Sequence, residues 1–242
     1  PTEVNLIPPY LAWVDPEQGE APADALYGDI DGDGFPDLAV GRLAVNTPDE
    51  AQRVVDRIIA YDQSYRVQPW QTKALFVADN ADPAAGDFPA FSDQIIANEL
   101  PNDLQPIRAY LPGPLPTVDQ IAATRSAIST AIQAGVFMVQ YTGHGAPQRW
   151  ADEQIWRVSD VSALTNASQL PVVMTFNCLD GYFAYPGMPS IAETMQRSSN
   201  GGAIASISPS GLGYTTDQHL FRILLMQAIF RDGNSDLGTA LL

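Results

Sequence analysis

A histidine between two glycines and the only cysteine are the side chains best suited to nucleophilic chemistry. His144 stands between Gly143 and Gly145, and Cys178 follows Asn177. A thiol becomes a nucleophile when a nearby imidazole takes its proton. The glycines let the backbone turn sharply and leave room for a substrate, and the amide of Gly145 can point at a developing oxyanion. The pattern predicts a Cys/His dyad; a buried thiol and a structural histidine are the alternative.

An acidic loop near the start of the chain forms a second group. Carboxylates alternate at Asp29, Asp31 and Asp33, glycine follows, and Asp37 closes the loop. Side chains at alternate positions of a curled loop converge on one point, and calcium takes about six to eight oxygen ligands. We expect a structural calcium site made of these four carboxylates and the carbonyl of Phe35. A solvated acidic turn is the alternative.

The order of apolar runs predicts how these residues are held. From residue 69 onward strands and helices alternate, which favours a mostly parallel sheet with helices on both faces. In such sheets reactive groups gather beyond the carboxyl ends of the strands, and His144 and Cys178 each follow a predicted central strand. The predicted strands are 74–78, 107–111, 136–141, 172–176 and 203–208, and the predicted helices are 91–100, 117–133, 190–197 and 216–231.

The segment before residue 69 has a different character. After the acidic loop, the apolar run 38–45 indicates a buried strand. Thr47, Pro48 and Glu50 are typical of a helix start, and the helix should run to about Tyr65. The chain should therefore consist of an N-terminal segment, 1–68, that ends a preceding subdomain, and a catalytic subdomain, 69–242. Residues 1–23 should be extended or loop.

Composition excludes several classes of protein. The 242 residues, 45% of them hydrophobic, can bury a sizeable core. A net charge of −16 argues against nucleic acid as a partner, and no apolar run is long enough for membrane insertion. A single cysteine cannot form an internal disulfide. The start at Pro1, without methionine or signal peptide, indicates a processed form or part of a longer protein.

The motifs around both reactive residues resemble one family. The string 141–145, followed by Asn177-Cys178 with Gly181 and Phe183, resembles the gingipain-type cysteine peptidases of the caspase-like fold group. The likeness covers about residues 24–240. It implies a caspase-like α/β fold, secretion, and hydrolysis of a protein or peptide substrate. By position, Cys178 would be the nucleophile and His144 the general base and acid, with the amides of Gly145 and Cys178 as the oxyanion hole.

The resemblance also implies a carboxylate behind the histidine. Asp87, 57 positions before His144, is the best match, and Asp79 and Asp82 are nearby rivals. Its role would be to orient the imidazole and stabilise its charged form. A simple loop aspartate is the alternative for Asp87.

Substrate specificity is implied by a second set of matches. Asp217, 39 positions after Cys178, corresponds to the acid that binds a lysine side chain before the scissile bond, with Tyr214 and Thr142 beside it. Alternatively, Asp217 belongs to the first turn of a helix, where acids are favoured. Phe176 stands where the family has asparagine, which changes the expected pocket shape. Trp150 and Trp156 could wall this pocket or simply pack in the core.

Two functions follow from these observations. The first is a calcium-stabilised, extracellular cysteine endopeptidase, with cleavage after Lys or Arg. The second is a non-catalytic calcium-binding adhesion or interaction module on the same fold. A hydrolase with a serine elbow or a nucleotide-binding domain is disfavoured, because the chain lacks both glycine-rich signatures. The sequence leaves the oligomeric state open.

Overall fold

The computed structural model describes residues 7–63, 68–234 and 236–242. The strands are β1 Leu11–Asp15, β2 Gly19–Pro22, β3 Lys73–Ala78, β4 Gln105–Tyr110, β5 Met138–Thr142, β6 Gly145–Ala146, β7 Arg149–Trp150, β8 Trp156–Arg157, β9 Val172–Phe176 and β10 Ala205–Ile207. The helices are α1 Pro48–Asp62, α2 Phe88–Asn98, α3 Val118–Gln133, α4 Val158–Ser162, α5 Ile191–Arg197, α6 Thr215–Met226 and α7 Leu237–Leu241.

A five-stranded sheet in the order β10-β9-β5-β3-β4 forms the centre, and all of its pairings are parallel. Strands β5 and β9 are buried along their whole length, which explains their nearly continuous apolar sequences. Every strand and helix predicted after residue 69 is present, with ends that differ by a few residues. The expected mostly parallel α/β architecture is confirmed.

Side-chain alternation along the strands builds a separate core on each face of the sheet. In β3, Leu75 and Val77 join the core with Ile128 and Ile132 of α3. The alternate residue Phe76 packs with the cluster on the opposite face, which includes residues of α2 and α6. Because successive strand residues point to opposite faces, a fully apolar strand requires helices on both sides, as observed.

The predicted strand 38–45 is absent, and this prediction was wrong. Leu38, Val40 and Leu43 are 57%, 43% and 43% exposed. An apolar run becomes a strand only where another strand takes up its backbone hydrogen bonds, and among the described residues none pairs with it. Instead, the side chain of Gln196 in α5 accepts from the amide of Ala44 at 2.6 Å and donates to the carbonyl of Arg42 at 3.1 Å.

The N-terminal residues contain a hairpin that the sequence did not predict. Strands β1 and β2 pair antiparallel, and Asp15 accepts hydrogen bonds from the amides of Glu17 and Gln18, both at 2.8 Å, in the connecting turn. Helix α1 begins at Pro48 with Thr47 as its cap, as expected. The predicted helical residues 64 and 65 lie outside the described ranges.

Across these ranges, no helix is both long and apolar enough to cross a lipid bilayer.

Candidate active site

The register of β5 and β9 brings His144 and Cys178 to the same edge of the sheet. Thr142 pairs with Phe176, so the histidine and the cysteine each lie two residues past a matched pair. A Cβ atom on Gly145 would lie 2.7 Å from the carbonyl oxygen of Cys178, a distance only glycine allows. The two loops are therefore in direct contact, and the predicted neighbourhood of the two strands is confirmed.

Two buried groups hold the backbone of the histidine loop. The Asp79 carboxylate accepts from the amide of His144 at 3.1 Å, and the Tyr141 hydroxyl donates to the His144 carbonyl at 2.5 Å. Gly143 has a φ of +153°, and a Cβ there would lie 2.3 Å from Cβ of Asp79. Burial raises the pKa of Asp79 to about 6. Asp79 thus holds the main chain of the loop, and a different carboxylate contacts the imidazole ring.

Asp82 is the carboxylate that contacts the imidazole. Its Oδ2 lies 2.9 Å from Nε2 of His144, and the Phe88 ring packs edge-on against the imidazole with centroids 5.5 Å apart. The Ala84 amide, followed by the His144 side chain, lowers the pKa of Asp82. Because Nε2 faces this carboxylate, Nδ1 is the ring nitrogen left to exchange a proton with a thiol.

Asp87 does not fill the role that its spacing predicted. It caps helix α2, and its Oδ1 accepts from the amide of Ala90 at 3.0 Å. The structure therefore corrects the choice among the three aspartates in favour of Asp82. One sequence signal favours this outcome, because Asp87 followed shortly by Pro89 is typical of a helix start.

The cysteine lies in a constrained turn after β9. The half-buried Cys178 has its Sγ 3.8 Å from the carbonyl oxygen of Gly213. Leu179 has a φ of +65°, an unusual value for a bulky residue. Its amide donates to the carbonyl of Gly211 at 3.1 Å. Strained backbone of this kind is concentrated at functional sites, where the surroundings enforce it.

Asp180, which sequence analysis missed, is the buried polar centre behind this turn. It is fully buried and accepts from Nε1 of Trp150 and from the hydroxyl of Thr175, both at 2.8 Å. Burial raises the pKa of Asp180 to about 7, against the opposing effect of these hydrogen bonds. Its position two residues after a candidate nucleophile was the only signal in the sequence.

Trp150 lies in the core, which favours ordinary packing over the alternative that it walls the substrate pocket. It is 0% exposed and stacks on Tyr141 at a centroid distance of 4.5 Å. Trp156 is also fully buried. The strand pairing of β7 with β6 and β8 turns both indole rings inward beneath the histidine loop.

A cavity of about 410 Å³ lies beside the cysteine turn and contains two of the predicted specificity residues, Asp217 and Tyr214. Thr142 is not among its lining residues, and it is only 5% exposed at the end of β5. Its expected role in the substrate pocket stays a prediction. The lining residues are Val14, Asp15, Glu17, Gln18, Leu212, Gly213, Tyr214, Asp217, Gln218 and Phe221.

The acidic loop brings three of its four carboxylates together. Ligand oxygens of Asp29, Asp31 and Asp37 lie within 4.8 Å of one another. The fourth, Asp33, is outside this group, and its Oδ1 accepts from the amide of Phe35 at 2.9 Å. This geometry favours three of the predicted ligands. The roles of Asp33 and of the Phe35 carbonyl stay predictions.

Comparison with known proteins assigns the family. The sequence model of Peptidase family C25 matches residues 1–242, and the chain belongs to this family. Gingipain R2 from Porphyromonas gingivalis is 29% identical over 187 residues, which are 74% of this chain and 24% of that protein. Lys-gingipain from the same organism is 25% identical over 201 residues, 83% of this chain and 11% of the relative. The chain thus spans a quarter or less of these relatives.

The fold is also that of a solved relative. The crystal structure of the Arg-specific cysteine proteinase gingipain R superimposes with a TM-score of 0.78 and 24% sequence identity, covering 91% of this chain and 52% of that chain. Together with the parallel sheet flanked by helices, this likeness confirms the caspase-like α/β fold.

Proposed function

We propose that this protein is a cysteine endopeptidase in which Cys178 is the nucleophile and His144 the general base and acid. The observation that carries the proposal is the pairing of Thr142 with Phe176. This register puts His144 and Cys178 at the same edge of the sheet. The Asp82 carboxylate at 2.9 Å from Nε2 of His144 supports it. The relatives named Gingipain R2 and Lys-gingipain belong to the same family.

In this reaction Nδ1 of His144 takes the proton of the Cys178 thiol, and the thiolate sulfur bonds to the carbonyl carbon of the scissile peptide. The amides of Gly145 and Cys178 would stabilise the oxyanion. As the C–N bond breaks, the imidazolium gives its proton to the departing amine and a thioester remains. A water molecule, deprotonated by His144, then hydrolyses the thioester and the thiol regains its proton. Asp82 stabilises the imidazolium in both steps.

We propose further that the enzyme cleaves after a basic residue. Asp217 and Tyr214 line the cavity that adjoins Cys178 through Gly213. The apolar stem of a lysine or arginine can lie along an aromatic wall while its charged end meets a carboxylate. Asp217→Asn should therefore reduce the preference for Lys or Arg over a neutral residue by about tenfold, measured as kcat/KM on a matched peptide set.

Thiol reactivity tests the proposal against a non-catalytic adhesion module on the same fold. At neutral pH, iodoacetamide should alkylate Cys178 faster in the native protein than in the denatured protein, because a paired imidazole favours the thiolate. His144→Ala should remove this advantage, whereas His219→Ala, at the only other histidine, should preserve it. Native labelling no faster than the denatured control would contradict the peptidase function.

We also propose that Asp29, Asp31 and Asp37 bind calcium. Ligands on opposite sides of a calcium ion lie about 5 Å apart, from about 2.3–2.6 Å per bond, and the observed limit of 4.8 Å suits this geometry. A site of this type, with three carboxylates on an exposed loop, would fill at the millimolar calcium concentration outside cells. We therefore propose an extracellular location.

Thermal unfolding tests the calcium site. Calcium at about 100 times its Kd adds about 2.7 kcal/mol of stability, which corresponds to a Tm increase of about 5–10 °C for a chain of this size. Asp31→Asn should abolish most of this increase. Asp33→Asn should leave most of the increase in place, because Asp33 lies outside the group of three carboxylates. A Tm that is equal in calcium and in chelator would refute the site.

A further inference from the structure

The β1–β2 hairpin is joined to the loop that contacts the cysteine. Gln18 accepts a hydrogen bond from the amide of Leu212 at 2.5 Å, and the Ser210 hydroxyl donates to the carbonyl of Pro22 at 2.6 Å. A Cβ on Gly211 would lie 2.5 Å from Nε2 of Gln18. The hairpin therefore lies in close contact with residues 210–212.

The same loop lies against the candidate nucleophile on its other side. Gly211 accepts from the amide of Leu179 at 3.1 Å, and the Gly213 carbonyl oxygen is 3.8 Å from Sγ of Cys178. The loop therefore contacts the hairpin on one side and the cysteine turn on the other. A substrate side chain that enters the adjoining cavity from a scissile bond at Cys178 would lie close to the hairpin.

The hairpin contributes four of the residues that line the adjoining cavity. They are Val14, Asp15, Glu17 and Gln18, and they face the α6 residues Asp217, Gln218 and Phe221. The lining contains three carboxylates and no basic side chain. Among the described residues, none of these carboxylates forms an ion pair within 4.0 Å of a basic group.

Building on the proposed function, we propose that the β1–β2 hairpin is the second wall of the substrate pocket and that Asp15 and Glu17 act with Asp217 to select a basic side chain. Val14 and Phe221 both line this cavity, are 49% and 42% exposed, and can cover an alkyl stem. The carboxylates on opposite walls would then approach a positive end group from two sides. The β1–β2 hairpin thus contributes to the substrate specificity of the site.

The test measures the specificity of the double variant Asp15→Asn/Glu17→Gln. Asparagine preserves the acceptor that Asp15 offers to the turn amides, so the hairpin keeps its local hydrogen bonds. The ratio of kcat/KM for a peptide with arginine before the cut to that for its norleucine analogue should fall by about fivefold, since exposed ion pairs are individually weak. The loss should appear mainly in KM and shrink at high salt. Glu17→Gln alone should give part of the effect.

Glu20→Gln is the matched control, because Glu20 is exposed on the same hairpin but does not line the cavity. It should leave the ratio unchanged. Iodoacetamide labelling of Cys178 in the double variant should equal that of the parent protein, because the dyad is untouched. A double variant that behaves like Glu20→Gln, while Asp217→Asn loses its preference, would overturn the hairpin's role and leave the peptidase function intact. A parent protein with an unreactive thiol and no peptide cleavage would overturn both.

Discussion

Replacing the buried Asp180 by asparagine should change how the stability of this protein depends on pH. The carboxyl group is fully buried between Trp150 and Thr175, and its pKa is raised to about 7 by burial. An unfolded aspartate has a pKa of about 3.9. The folded protein therefore holds a proton that the unfolded chain has lost between about pH 4 and pH 7, and the folded state is favoured at the acidic end of this range.

The size of the effect follows from these two pKa values. Each pKa unit corresponds to about 1.4 kcal/mol. At pH 5 the higher pKa of Asp180 in the folded state contributes about 3 kcal/mol to the free energy of unfolding. At pH 8 nearly all of this contribution is lost. The asparagine variant has no such titration. Its amide oxygen can accept from Trp150 and its NH₂ can donate to the Thr175 hydroxyl, so the packing stays similar.

The assay is urea denaturation of the parent and Asp180→Asn proteins at pH 5 and pH 8. The stability of the variant relative to the parent should rise by about 3 kcal/mol between the two values. The pKa of Asp79 is also raised, to about 6. Asp79 is present in both proteins, so its contribution to the pH dependence of stability cancels in the comparison. Asp103→Asn, in an exposed loop, is the control and should show no such change. If the stability of the parent and of the variant changed equally between pH 5 and pH 8, the assignment of Asp180 as a buried, protonated carboxyl would be refuted.

The remaining predictions concern the histidine loop. Asp82→Asn should lower kcat by about tenfold on a good peptide substrate, well short of the ~10⁴-fold measured for a buried triad aspartate, because Asp82 is 36% exposed. Asp87→Asn should leave kcat unchanged, since asparagine caps helices as well as aspartate does. If kcat fell more in Asp87→Asn than in Asp82→Asn, Asp87 would be the carboxylate that orients the imidazole, as its spacing predicted. Gly145→Ala should reduce kcat more than a hundredfold through its clash with the Asn177 side chain, 2.3 Å from the new Cβ, and an active alanine variant would contradict this contact.

Much of the fold could be read from local pattern. Thr117 and Ser190 accept hydrogen bonds from the amides of Gln120 and Glu193, as their capping-box spacing indicates. The apolar runs that became β5 and β9 are buried in full. Helix caps and apolar strands depend on residues that are close together in the chain, so the sequence is enough to predict them. The run 38–45 has the same apolar character but no partner strand among the described residues, and composition alone could not reveal this.

The sequence by itself determined the candidate dyad, since a single cysteine and a glycine-flanked histidine each follow an apolar strand, and it determined the acidic loop. Only the tertiary structure decided which aspartate contacts the imidazole. Three aspartates lie within nine positions of the chain, and spacing favoured Asp87, but packing and hydrogen bonds direct the Asp82 side chain to the histidine. The tertiary structure also placed Trp150 in the core and set the hairpin against the loop that contacts the cysteine. Contacts between residues almost 200 positions apart, such as Gln18 with Leu212, arise from packing and leave no local pattern in the chain.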